Sequence, residues 1–194
     1  MFIIGDIIPF IDSLTIMLLS LGMSTAILAI YFLMNALGRR DTNKLYIPML
    51  VFGLFDAISG GIMSFTWPLP GAYNMLFGDP LLMLGLIMIA GSYMLMKEIK
   101  VGILSVAGVF LGLYLAVESA GIVNFKLESG NNLIGALGLY VLSAVAGLIS
   151  PIAILDARRN RKAYFFMFII LALITLVALF IGYSGIYEHL ASPP

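Results

Sequence analysis

The stretch FFMFIILALITLVALFIG, residues 165–182, carries no charged side chain and a single hydroxyl, Thr175. A bilayer core about 30 Å thick takes roughly 20 mainly apolar residues as a helix, and with its flanks this run is long enough. It lacks the two-residue alternation of a barrel strand, and lipid offers no partner to an open backbone, so a helix is required. Five further runs of the same kind lie N-terminal to it. Spans are expected near 11–37, 46–66, 79–97, 101–121, 132–155 and 163–187. The fold class that follows is all-α, an integral membrane bundle of six transmembrane helices forming one domain over 1–194.

Composition agrees and excludes much else. The chain of 194 residues is 62% hydrophobic and 10% charged, with mean hydropathy +1.11, whereas soluble domains run about 45–50% apolar and 25% charged. Ten basic and ten acidic residues cancel, leaving no field to attract nucleic acid. With no cysteine, disulfides, thiolate metal sites, iron–sulfur clusters and cysteine nucleophiles are excluded. The single histidine, His189, cannot build a bis-histidine haem or a three-histidine metal site, and reads as a solvated tail residue. The chain holds no GxSxG, Walker A, dinucleotide or HExxH motif. An enzyme, a cofactor and a metal are therefore not expected. The opening MFIIGDIIPFID has Asp6 and Asp12 where a secretory signal would be basic, so the N-terminus is expected to be retained.

Charge orients the bundle. Arg39, Arg40, Lys44, Lys97, Lys100, Arg158, Arg159, Arg161 and Lys162 fall on alternate loops that share one side, and only Lys126 falls on the other. The positive-inside rule then predicts a cell-membrane protein with both termini outside the cytoplasm. The basic loop 156–162 is also suited to anionic lipid headgroups.

From Leu45 to Met96 there is no Lys or Arg, yet there are two aspartates, Asp56 and Asp79. In the outer loop Trp67 suits a membrane interface, Pro68 and Pro70 stop the preceding helix, and Gly71 permits a turn. Asp79 followed by Pro80 has the pattern of a helix cap with proline in the first turn. Residues 67–80 are accordingly expected to form an ordered outer cap.

At 100° per residue, Gly53, Asp56, Gly60, Ser64 and Trp67 share a narrow face of the second span. Ser13, Ser20, Ser24, Tyr31 and Asn35 do so on the first, and Asn132, Ala136, Tyr140, Ser143, Gly147 and Ser150 on the fifth. These three stripes are candidates to face one another, although small and hydroxyl residues are also the ordinary packing surface of membrane helices. A charged Asp near mid-membrane costs around 2.5–3.5 kcal/mol on insertion scales. Asp56 is thus either a clamp, bonded to a hydroxyl such as Ser20, Ser24 or Tyr140, or part of a proton or cation path. Glu118 shares a face with Tyr114 and Leu111 and is expected to approach the outer interface. The candidate intramembrane polar site comprises Asp56, Glu118, Ser20, Ser24, Ser59, Ser64, Tyr114, Tyr140 and Ser143. Span 6, almost without polar residues, is expected at the periphery.

The segment SFTWPLPGAYNMLFGDP, Ser64 to Pro80, resembles the signature loop of an uncharacterised family of archaeal and bacterial multi-spanning membrane proteins, a domain of unknown function. FIDSLTIMLL near the start and FIGY, Phe180 to Tyr183, are similar to the same pattern, so the resemblance extends over almost the whole chain. It implies a compact prokaryotic membrane domain and supplies no catalytic residues. Two functions are carried forward: a small proton- or cation-linked transport protein using an intramembrane carboxylate, or a non-catalytic subunit or scaffold of a larger, for example respiratory, membrane complex. The expected partners are the lipid bilayer and a second copy or a complex subunit.

Overall fold

The computed structural model describes residues 13–39 and 41–191, and Asp6, Asp12 and Arg40 lie outside them. The described residues form six long helices and no strand: α1 Ser13–Ala36, α2 Tyr46–Thr66, α3 Tyr73–Met96, α4 Ser105–Asn124, α5 Gly130–Ile149 and α6 Arg161–Ala191. Each, with its flanking turn where there is one, is long and apolar enough to cross a membrane. Short 3-10 turns, Thr42–Leu45, Val101–Leu104 and Ser150–Ile154, lie on three of the connections. Pro151 helps to end α5, because it enters the last of these turns without an amide hydrogen to continue the α-helical ladder.

The order of packing is set by where side chains are smallest. Helices α2 and α3 form a close hairpin in which a Cβ on Gly60 would lie 2.5 Å from the Leu82 amide nitrogen, and one on Gly85 2.4 Å from that of Ala57. Only glycine admits backbones at that distance, the small-residue crossing common in lipid. Helices α4 and α5 cross in the same way, Gly147 against Gly112. Of the fifth-span stripe, Gly147 and Ser150 therefore pack on α4, and α5 makes no close packing with span 2.

Helix α6 is not peripheral. Met167, Ile170, Leu171, Ile174 and Ala178 are buried where α6 packs along α1 and α5, and Thr25 of α1 bonds to Thr175 at 2.9 Å. A helix without a polar stripe can still be central in a membrane bundle, since shape and small residues rather than polarity select its contacts.

Connections gather at two ends. The Arg161 Nε donates to the Ala36 carbonyl at 2.7 Å, Ser92 Oγ to that of Tyr46 at 2.7 Å, and Gly102 abuts the Ala153 carbonyl. These contacts collect the loops bearing Arg39, Lys44, Lys97, Lys100, Arg158, Arg159, Arg161 and Lys162 at one end. At the opposite end the Tyr73 hydroxyl donates to the Leu127 carbonyl at 3.2 Å.

Helix α3 starts at Tyr73, not at Asp79, and Pro80 lies inside it. The connection between α2 and α3 is accordingly only residues 67–72. Trp67 ends α2 in the left-handed region, φ 50°. The side chain of Asn74, fully buried, accepts from the Leu69 amide at 2.8 Å and donates to the Leu69 carbonyl. This double clasp closes the turn early and lets α3 begin two residues after Gly71.

Candidate functional site

Asp56 is 0% exposed. Ser20 Oγ donates to its Oδ1 and Ser24 Oγ to its Oδ2, both at 2.5 Å. The two serines are four residues apart on α1, hence neighbours on one helix face, and together they engage both carboxyl oxygens. Ser59 and Ser64 instead donate within their own helix, to the carbonyls of Phe55 at 2.8 Å and Gly60 at 2.9 Å, the usual back-bonding of hydroxyls in apolar helices. Tyr140 is not an Asp56 partner either.

Tyr140 has a different task, created by Pro80. Proline has no amide hydrogen, so the Leu76 carbonyl, four residues earlier, loses its helical donor. The Tyr140 hydroxyl, buried and carried by α5, donates to that carbonyl. A helix break is repaired from a neighbouring helix, and α3 continues to Met96.

A cavity of about 210 Å³ is lined by residues of all six helices, α2 contributing only Met49. Its wall is almost wholly apolar, including Leu84, Leu111, Leu115 and Ile174. It runs from Val101, Leu104 and Ala153 near the basic end to Leu76, Phe77 and Tyr140 near the other, and Ser143 lies on its wall. Asp56 does not line it.

Near the end marked by Tyr140 three groups of the sequence reading converge. Asp79, inside α3 rather than capping it, accepts from the Tyr114 hydroxyl of α4 at 2.8 Å. Glu118 lies one turn further along α4. It is 9% exposed, with both carboxyl oxygens buried and without a hydrogen-bond partner, while Asp79, Tyr114 and Tyr140 lie within electrostatic reach. Glu118 therefore turns inward instead of approaching the outer surface. It continues the buried line Leu111, Leu115, Glu118, Ile122, whose first two members line the cavity.

The family model for "Protein of unknown function (DUF981)" matches residues 8–192. The chain belongs to the DUF981 family. No curated protein and no solved structure matches it.

In this DUF981 chain the sequence-named residues thus divide into separate places. Asp56, Ser20 and Ser24 form a closed clasp between α1 and α2. Asp79, Tyr114 and Glu118 gather past the end of the cavity that Tyr140 lines, and none of the three lines it. Ser143 lies on the cavity wall, and Ser59 and Ser64 bond to their own helix. Trp67, Pro68 and Pro70 belong to the short turn between α2 and α3, where Trp67 is half exposed. Among the described residues no group of three or more His, Cys, Asp or Glu side chains is placed to hold a metal ion. Asn74 and the Leu76–Tyr140 bond were not anticipated. The proline four residues beyond Leu76 is the signal that a carbonyl there needs an outside donor, but nothing in the sequence says which helix supplies it.

Proposed function

We propose that this multi-pass membrane protein binds an amphiphile within the bundle and acts as a small membrane transport protein for it. The observation that carries the reading is the cavity of about 210 Å³, whose apolar wall draws on all six helices. An apolar wall is a poor lining for an ion path but a good one for a hydrocarbon chain, since pockets of this kind hold ligands mainly by apolar contact with a few polar groups fixing orientation. The intramembrane carboxylate relevant to cargo is then Glu118, with Asp56 serving to fasten α1 to α2. The proposed setting is the cell membrane, with the basic end in the cytoplasm and both termini outside. A scaffold role is the second reading; its support is the closed Asp56 clasp, which holds helices together without bordering the cavity.

The test is stoichiometric binding. Delipidated full-length protein titrated with a long-chain alcohol should acquire one tightly held copy in native mass spectra, and Ser143→Phe, which fills the cavity from its wall, should lose it while retaining its thermal unfolding midpoint. Equal retention by wild type and Ser143→Phe would assign binding to the outer surface and remove the cavity from the function.

A further inference from the structure

We propose that the cavity's occupant carries a cationic head, an alkylated ammonium, that reaches past the aromatic end of the cavity to Asp79, Tyr114 and Glu118, which lie just beyond its lining; this rests on the amphiphile reading above. Three independent features of the site point to it. Glu118 is buried with both oxygens unpartnered, and a buried carboxyl without a donor lacks the compensation such groups normally have. A second carboxyl, Asp79, is close by, and it accepts from the neutral Tyr114 hydroxyl at 2.8 Å. Among the described residues the only Lys or Arg beyond the basic end is Lys126, which is exposed. The site is built from acids and phenols and lacks an internal cation.

The third feature is aromatic. Tyr73 stacks on Phe77 at a ring-centroid distance of 6.4 Å, and Phe77 meets Tyr140 edge-on at 6.5 Å. Phe77 and Tyr140 form part of the cavity wall. Ring faces attract ammonium groups and serve in quaternary ammonium recognition, whereas an anionic head would meet two carboxyls. A bare metal ion is disfavoured by the donor set, which lacks the three or more carboxylate or imidazole ligands of a built metal site. An ammonium needs no such coordination shell. The apolar tail then extends along the cavity toward Val101 and Ala153.

The experiment compares two photoreactive probes with the same hydrocarbon chain, one ending in trimethylammonium and the other in a primary alcohol, on purified full-length protein, with labelled peptides mapped by mass spectrometry. The expected result is at least about tenfold stronger labelling of cavity-wall peptides by the ammonium probe. Glu118→Gln should bring the two probes to parity, read as the ratio of ammonium to alcohol labelling within the same protein. Asp79→Asn, read alongside, should lower the ammonium preference in the same direction, so the test does not hang on one variant's folding. Equal labelling of the cavity by both probes in wild type, or an unchanged ammonium preference in Glu118→Gln and Asp79→Asn alike, overturns the cationic head and leaves the amphiphile reading standing. Cavity peptides labelled by neither probe would overturn the amphiphile reading itself.

Discussion

Asp56 illustrates how far a single residue can be read before its surroundings are known. Its helical face and the hydroxyl partners open to it follow from spacing alone, and two of the three named candidates, Ser20 and Ser24, are its partners. Tyr140 was indistinguishable from them by residue type, because a phenol and a serine are both donors and the sequence does not say which helices adjoin. The clasp makes a quantitative prediction. Asp56→Leu strands two buried hydroxyls and should lower stability by about 0.6–2 kcal/mol per interhelical bond lost, seen as a reduced thermal midpoint in detergent. Asp56→Asn, which keeps an acceptor and the side chain's shape, should recover most of that loss. Equal midpoints for Leu and wild type would mean that the clasp contributes nothing to holding α1 on α2. Glu118 presents the opposite situation. Its spacing identified the face it occupies, but whether that face met lipid, water or protein depended on α3 and α5 lying beside α4.

At the scale of elements, the informative error concerns α3. Asp79 followed by Pro80 has the local chemistry of a helix start, and it is overridden because Asn74 clasps Leu69 and starts the helix a turn and a half earlier. The helix survives its proline because Tyr140 supplies the missing donor. This coupling between α3 and α5 predicts non-additivity. Tyr140→Phe should cost roughly 1–3 kcal/mol by leaving the Leu76 carbonyl buried and unpaired. In a Pro80→Ala background, where the residue 80 amide can take that carbonyl, the same substitution should cost much less. A thermal-unfolding cycle of the four proteins measures the difference, and equal costs in both backgrounds would show that the phenol is not repairing the helix. The six spans themselves were legible because apolar length is a strong signal in lipid. Helix order was not, since glycine seams such as Gly53 with Gly85 and Gly112 with Gly147 depend on pairs of positions far apart in the chain.

For the whole molecule, the asymmetry of basic residues between the two ends yields an orientation that labelling can check. In this cysteine-free chain, single cysteines introduced at Asn43 and Asn160 should resist a membrane-impermeant thiol reagent in intact cells, while one at Ser129 should react. The reverse pattern would turn the bundle over. The α2–α3 hairpin bears on how such a bundle enters the bilayer. Its turn, WPLPGA at 67–72, is uncharged, and no Lys or Arg occurs from Leu45 to Met96. Carrying that turn through hydrocarbon requires dehydrating no ionic group of its own, and the basic residues flanking the pair, Lys44 and Lys97, both lie at the opposite end of the hairpin. The glycine seam lets the two helices satisfy each other's contours as they pass. The hairpin is thereby suited to partition as one unit, and Ser20 and Ser24 of α1, closed over Asp56, satisfy the one carboxyl that α2 would otherwise leave unpaired.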